Sequence, residues 1–150
     1  MSPAKAKRLI KLLNFWPPFI GAGIRVKSVN DDLTRFEVQM KLRFYNKNMF
    51  GTHYGGSLYA MCDPFFVFIV MYYMGDGYVV WDKTATIHFR KPGKGRMRAI
   101  FEIGQDELAR IKQEVDATGK KTFWFTAEVI GPEGELVAEV EKEVYVRKGK

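Results

Sequence analysis

The stretch that decides the fold is NMFGTHYGGSLYAMCDPFF, from Asn48 to Phe66. It places a histidine, a glycine pair and an aspartate before and within the most apolar part of the chain, Ser57 to Met74. A helix that lacks a polar face must be surrounded by lipid or by protein. A membrane span needs about 20 apolar residues, whereas Asp63 and Pro64 interrupt this run. We therefore predict a long central helix that is wrapped by protein.

The segments on either side of this helix show the alternation of apolar and charged residues that is typical of β-strands. A turn at Asn30 to Asp32 joins the first two of them into a hairpin. The predicted strands are 24–29, 36–44, 79–90, 97–103, 122–130 and 136–146, with a short helix at 106–117. Six strands around one apolar helix predict an α+β, hotdog-like fold, in which a curved antiparallel sheet wraps the helix. We expect one domain over residues 1–150, with Trp81, Phe123 and Phe125 in its core and His88 in a structural role.

The N-terminal run LIKLLNFWPPFIGAG does not have the pattern of a secretory signal, because Lys11, Asn14 and a proline pair interrupt it. Its apolar residues fall at helical spacing instead, which predicts a short amphipathic helix that Pro17 ends; these residues are Leu9, Leu12, Leu13 and Trp16. Such a helix could also bind a membrane surface, but we expect no stable membrane insertion.

The charge and cysteine content limit the partners. The chain has 24 Lys and Arg against 17 Asp and Glu, a formal net charge of +7, which suits nucleic acid, an anionic membrane or a phosphate-bearing cofactor. Nucleic acid is the least favoured of these, because the basic residues accompany no recognisable reading motif or aromatic platform. The single cysteine, Cys62, excludes an intramolecular disulfide and favours a reducing cytoplasm. We predict no metal and no redox cofactor.

Two features of the opening stretch predict a reactive site. Gly55 and Gly56 allow a sharp turn and the close approach of a ligand, and no Asp or Asn directly precedes them to occupy the free N–H groups of the helix. Such a helix start can hold an anion or a developing oxyanion. Alternatively, the glycines only permit a tight junction that Ser57 caps. The second feature is Asp63, which is costly to bury unpaired and must meet water, a donor or a ligand; alternatively, it caps a helix that restarts at Pro64.

These residues carry a resemblance to a known family. The run GGSLYAMCDP resembles the motif of the hotdog-fold acyl-CoA thioesterases of the phenylacetyl-CoA type. Over nearly the whole chain, the order of NFWPPFIGAGIRV, GTHYGGSLYAMCDPFF, VWDKTATIHFRKPGKG and EVEKEVYVRK is similar to a bacterial branch of that superfamily. The resemblance implies a hydrolase that converts an acyl-CoA thioester to the free acid and coenzyme A. The alternative function is a non-catalytic acyl-CoA or fatty-acid binding protein.

The resemblance also implies roles for individual residues. Asp63 corresponds to the general base or nucleophile, the Gly56 amide to the group that polarises the thioester carbonyl, and Asn48 to an orienter of water or substrate. The family usually has histidine directly before the glycine pair, whereas this chain has Tyr54 there and His53 one position earlier. We therefore assign His53 to substrate binding, together with Gly55 and Ser57.

The spacing along the helix predicts an oligomer. At 1.5 Å per residue, Asp63 lies about 10 Å along the same helix from Gly56, too far for both to act readily on one carbonyl. If two such helices pack antiparallel about a two-fold axis, Asp63 of one chain can approach the helix start of the other. We therefore predict an active site at the interface of a homodimer, alone or within a homotetramer. The turn RKPGKGRMR begins with Arg90 and Lys91, which we predict to bind the phosphates of coenzyme A; alternatively, it is an ordinary solvated turn.

Overall fold

The computed structural model of the chain describes residues 2–150, except for the side chains of Pro3, Lys5, Ala6 and Leu9. Its helices are α1 (Pro3–Leu13), α2 (Pro17–Ala22), α3 (Gly55–Ala60), α4 (Phe65–Met74) and α5 (Gln105–Thr118). Its strands are β1 (Ile24–Val29), β2 (Arg35–Lys41), β3 (Tyr78–Phe89), β4 (Arg96–Glu102), β5 (Lys120–Ile130) and β6 (Leu136–Lys148).

The strands form one antiparallel sheet in the order β1-β2-β4-β5-β6-β3. The predicted α+β hotdog arrangement is thereby confirmed. Strand β2 ends at Lys41, earlier than predicted, because the side chain of Asn46 accepts a hydrogen bond from the Arg43 N–H at 2.7 Å and turns the chain. Phe44 therefore leaves the buried face of the strand and is 85% exposed.

The central helix is divided into α3 and α4, with a break at residues 61–64. Pro64 has no N–H group to donate to the preceding turn, so the ladder of helical hydrogen bonds cannot pass through it unchanged. Helix α4 packs into the sheet through two aromatic rings. Phe65 stacks on Phe101 of β4 at a centroid distance of 4.9 Å, and Phe66 stacks on Phe125 of β5 at 5.1 Å. The helix thus lies inside the sheet, as the absence of a polar face requires.

The N-terminal segment differs from its prediction in two respects. Pro17 does not only follow the first helix; it also begins α2, at a position where its missing N–H costs nothing. Helix α1 packs on the core through Ile10, while Leu12 and Trp16 remain 54% and 47% exposed. The side chain of Leu9 lies outside the described part of the structure. Phe19 of α2 is buried against Phe65, with ring centroids 6.2 Å apart.

The prediction of a core position is confirmed for Phe123 and Phe125 and wrong for Trp81, which is 49% exposed and stacks on Tyr145. Trp81 lies on β3, which forms one edge of the sheet and has a neighbouring strand on one side only. His88 lies on the same strand and pairs with Glu141 at 3.1 Å.

The region Gly55–Met74 is long and apolar enough to cross a membrane by length and composition, with a mean hydropathy of 1.4. Half of its most apolar window is buried inside the fold, and core helices pass the same test. The length and composition of this region are therefore weak evidence that it crosses a membrane.

Candidate functional site

Asp63 lies in the break between α3 and α4, where its backbone carbonyl accepts a hydrogen bond from Lys142 of β6. The Lys142 ammonium donates to the backbone carbonyl of Asp63 at 2.7 Å. The Asp63 carboxylate does not cap α4, because no side chain caps the start of that helix. The break is therefore stabilised by a lysine from the sheet, and the capping alternative for Asp63 does not describe this helix.

Four polar side chains meet at this break: Tyr59, Asp63, Asp82 and Lys142, which we call the Lys142 cluster. Lys142 donates to Asp63 Oδ1 at 3.0 Å and to Asp82 Oδ2 at 2.9 Å. The Tyr59 hydroxyl donates to Asp63 Oδ1 at 2.9 Å. No described residue donates to Asp63 Oδ2, and the Asp63 side chain is 51% exposed, whereas that of Lys142 is fully buried. One oxygen of Asp63 is thus held from inside the protein, while the other is free to meet a ligand.

The pleat of β6 and an irregularity in β3 position this cluster. Residues on β6 alternate, so Lys142 takes an inward position between the buried Val140 and Val144. The pairing of β3 with β6 shifts register between Asp82 and Thr84. Such a bulge twists a strand and redirects its side chains. Asp82 and Lys142 thereby meet although they are not register partners.

Burial and hydrogen bonding have opposite effects on the charges of the cluster. Burial disfavours the ammonium of Lys142, but the hydrogen bonds to Asp82 and Asp63 outweigh it and raise the pKa of Lys142 above its usual value of 10.5. Burial raises the pKa of Asp82, although Lys142 opposes this effect. The second oxygen of Asp82, Oδ1, is buried and has no hydrogen-bond partner in the described part of the chain. The pKa of the Tyr59 hydroxyl is raised, first by burial and then by its bond to Asp63. Lys142 therefore remains a cation that donates hydrogen bonds to two carboxylates.

The other residues singled out around the glycine pair lie in the loop before α3. Asn48 organises this loop, since its side-chain oxygen accepts from the Phe50 and Thr52 N–H groups and its nitrogen donates to Thr52 Oγ1 and the His53 carbonyl. His53 is 3% exposed, and its Nε2 donates to the Gly95 carbonyl at 2.7 Å. The Asn48 side chain is thus occupied by contacts within the loop, whereas the second ring nitrogen of His53, Nδ1, is buried and has no hydrogen-bond partner in the described part of the chain.

The start of α3 has no side-chain cap. Tyr54 occupies the capping position, and Ser57 is buried without capping the helix. No described residue accepts the N–H groups of Gly55 and Gly56. A Cβ placed on Gly55 would lie 3.0 Å from the Phe89 ring, and one placed on Gly56 would lie 2.6 Å from the Tyr54 ring. The glycines therefore allow the Phe89 and Tyr54 rings to approach the backbone closely, and their two N–H groups have no acceptor among the described residues.

The predicted phosphate-binding residues lie at the end of β3. Arg90 approaches Glu139 at 3.6 Å, and both the Arg90 and Lys91 N–H groups donate to the Val137 carbonyl. The Lys91 side chain is exposed and pairs with no carboxylate of the described residues. Within residues 2–150, no group of three His, Cys, Asp or Glu residues could hold a metal ion.

Sequence reasoning missed three members of the cluster, Tyr59, Asp82 and Lys142. One signal was present for Lys142: it occupies an apolar position in the alternation of EVEKEVYV, next to Val140 and Val144. A charged residue at an inward position of a strand requires a partner. The identity of that partner is not contained in the local pattern.

Comparisons with known proteins agree with this fold. A family model described as "Domain of unknown function (DUF4442)" matches residues 6–146. A protein of unknown function from Pseudomonas aeruginosa, described as a probable thioesterase, has a similar structure, with a TM-score of 0.83 and 20% identity over 95% of this chain and 96% of that one. The PaaI protein of E. coli, from the phenylacetic acid degradation operon, has a TM-score of 0.65 and 18% identity over 98% and 96% of the chains.

A thioesterase from Haemophilus influenzae is also similar, with a TM-score of 0.68 and 13% identity over 93% of this chain and 88% of that one. The comparison with curated proteins gave no match. At these identities the solved structures establish the hotdog fold alone.

Proposed function

Because the chain belongs to the family described as Domain of unknown function (DUF4442) and has the hotdog fold of thioesterase-like proteins, we propose that it is an acyl-CoA thioesterase in which Asp63 carries the reaction. The observation that supports this most directly is the asymmetry of the Asp63 carboxylate. Tyr59 and Lys142 hold Oδ1, while Oδ2 belongs to a half-exposed side chain and has no partner in the described part of the chain. Because this side chain is half-exposed, Oδ2 can meet water or a substrate while Oδ1 stays fixed.

In the proposed reaction, Asp63 Oδ2 takes a proton from water, and the water oxygen attacks the thioester carbonyl carbon. The Gly56 N–H stabilises the oxyanion that forms. The carbon–sulfur bond then breaks, and the coenzyme A thiolate leaves and takes up a proton. In the other route open to the same carboxylate, Oδ2 attacks the carbonyl carbon, the carbon–sulfur bond breaks to release the thiolate, and water then hydrolyses the mixed anhydride on Asp63 to the free acid and the carboxylate. In both routes Lys142 and Tyr59 fix the orientation of Asp63, and no cofactor is needed beyond the coenzyme A of the substrate.

We further propose that the active unit is a homodimer, alone or as half of a homotetramer. Helix α4 keeps apolar and aromatic side chains that the chain only partly covers; these include Val67, Phe68, Met71, Tyr72 and Tyr73. Strand β3 is an edge of the sheet with 12 residues, unusually long for an unpaired edge. A second copy would cover both surfaces and bring Asp63 of one subunit towards Gly56 of the other.

Arg90 and Lys91 are proposed to bind the phosphates of coenzyme A, with Lys91 as the freer cation. Asn48, His53 and Ser57 are proposed to support the site by shaping the loop and the helix start, since the side chain of Asn48 and Nε2 of His53 are hydrogen-bonded within the protein. The cytoplasm is the proposed location, because Cys62 is the single cysteine.

The second candidate function is a non-catalytic acyl-CoA or fatty-acid binding protein. The observation that favours it is the Tyr54 ring, which lies against Gly56 in the place where the resembling family has histidine. A binding protein would bind the acyl-CoA or fatty acid but release no thiol.

A thiol-release assay across short, medium, long and aromatic acyl-CoAs tests the proposal. Wild-type protein should release coenzyme A, and Asp63→Asn should abolish the release while circular dichroism shows an unchanged fold. The matched control is Asp76→Asn, an exposed aspartate in the turn after α4, which should keep full activity. Full activity of a folded Asp63→Asn variant would exclude Asp63 as the catalytic group, and binding without release by the wild type would favour the second candidate.

Subunit mixing tests the shared site. Asp63→Asn chains and chains inactivated by a bulky replacement of Gly56 should each be inactive alone. After exchange of equal amounts, about half the dimers are mixed and each contains one intact site, so activity should recover to about a quarter of the wild-type value. Native mass spectrometry verifies the mixed dimers. If verified mixed dimers stay inactive, Asp63 and Gly56 do not act across an interface.

A further inference from the structure

A groove lies on the face of the sheet opposite the Lys142 cluster. Its volume is about 560 Å³, and it is bordered by β1, β2, the start of β4 and α2. Val38 and Met40 of β2 are fully buried, so the alternating Gln39 and Lys41 lie on the outer face of the strand. Lys142 lies on the inner, buried face of its own strand. The groove is therefore separate from the Lys142 cluster.

The lining of this groove is strongly cationic. No Asp or Glu lines it, and five cationic residues do: Arg25, Lys27, Lys41, Arg43 and Arg96, which we call the basic groove. None of the five pairs with a carboxylate among residues 2–150. Arg96 contacts the neutral Gln39 Oε1 at 3.4 Å. By contrast, the next outward arginine on β4, Arg98, pairs with the Glu37 carboxylate at 2.9 Å.

Unneutralised like charges in a concave surface repel one another and raise the local concentration of anions. Three of the five cations are arginines, whose planar guanidinium groups match the oxygens of phosphate in two parallel hydrogen bonds. The groove volume lies within the range of about 300–1,000 Å³ that is usual for small-molecule sites. Tyr45 adds a half-exposed aromatic ring to the lining, and such a ring can stack on a planar base.

From these observations we propose that the basic groove binds a soluble, nucleotide-sized ligand with two or more phosphate groups. The concave shape favours a discrete small molecule over a flat anionic surface. The arginines and lysines bind the phosphates, and Tyr45 contacts the base. This site does not depend on the proposed thioesterase reaction, since it uses none of the same residues.

Isothermal titration calorimetry with inorganic pyrophosphate and adenosine 5′-diphosphate tests the proposal on the full chain. Both probes should bind the wild-type protein, and the nucleotide should bind more tightly. The double variant Lys41→Gln/Arg43→Gln should weaken both probes by about tenfold or more, because it removes two charge-assisted contacts. Arg25→Gln/Arg96→Gln is a second variant from other strands and should act in the same direction. Both pairs are exposed, and circular dichroism verifies the fold.

The matched control is Lys120→Gln/Lys150→Gln, which removes the same charge far from the groove and should leave both affinities within about twofold, as expected for screened distant charges. Equal weakening by this control would mean that net charge alone attracts the probes, and would overturn the proposal. Absence of binding to the wild type would also overturn it. The same variants are tested against phosphatidylcholine vesicles with and without phosphatidylglycerol. If the wild type binds only the anionic vesicles, and the groove variants lose that binding, the groove binds a lipid surface and the proposal of a soluble ligand is overturned.

Discussion

Replacing Lys142 with methionine should destabilise the protein strongly, because this side chain is fully buried between two carboxylates. It donates to Asp63 Oδ1 at 3.0 Å, to Asp82 Oδ2 at 2.9 Å and to the Asp63 carbonyl at 2.7 Å. Methionine fills a similar volume but donates nothing. Removing one partner of a buried ion pair typically costs about 3–5 kcal/mol. Since the Asp63 side chain is 51% exposed and water can replace part of the loss, we expect a decrease in the free energy of unfolding of about 3 kcal/mol.

Urea unfolding followed by circular dichroism at neutral pH measures this decrease. Lys148→Met is the matched control, since Lys148 lies on the same strand, is 49% exposed and only approaches Asp116 at 3.5 Å. An exposed pair of this kind contributes less than about 1 kcal/mol. A loss in Lys142→Met no larger than that in Lys148→Met would refute the reasoning.

A double-mutant cycle identifies the source of the cost. If Lys142→Met is costly because it leaves Asp82 ionised and unpaired, then adding Asp82→Asn should recover about 1 kcal/mol or more at neutral pH. Lowering the pH should have a similar effect, because burial already raises the pKa of Asp82 and a protonated Asp82 needs no cation. If the two substitutions simply add their costs, Lys142 does not act through Asp82.

Three other substitutions or treatments test the local structure. Burial lowers the pKa of His53 below its usual value of 6.5. As the pH falls through that range the unfolded chain binds more protons than the folded one, so the free energy of unfolding decreases. His53→Gln keeps a donor for the Gly95 carbonyl but does not titrate, so its free energy of unfolding in urea should decrease less between about pH 7 and pH 5 than that of the wild type. Burial raises the pKa of the Cys62 thiol to about 12, so iodoacetamide should alkylate Cys62 at mildly alkaline pH only after the protein is unfolded, as intact mass will report. A Cβ on Gly93 would lie 3.3 Å from both His53 Cβ and Val137 Cγ1. Gly93→Ala should therefore lower the free energy of unfolding by about 1 kcal/mol or more. An unchanged midpoint of urea unfolding would contradict the tight packing of this turn.

The secondary structure of this protein was predictable because its signals are local. Alternation along Phe36, Val38 and Met40 marks a strand with one buried face, and these three side chains are indeed buried. The same alternation failed at Phe44, because the hydrogen bonds of Asn46 turn the chain before that residue. It also failed at Trp81, since no pattern within a strand tells whether that strand lies at the edge of the sheet.

By itself the sequence determined that six strands surround an apolar, mainly helical segment, and that this segment carries a glycine pair and an aspartate; the break at the aspartate emerged only with the structure. Only the tertiary structure decided which groups surround the aspartate. Lys142 is 79 residues from Asp63 and 60 from Asp82 along the chain, so their meeting depends on the strand order, on the register of β3 with β6 and on the bulge after Asp82. The two carboxylates share one ammonium because a buried cation must find anionic partners wherever the fold brings them within reach, a requirement that no local pattern of residues encodes.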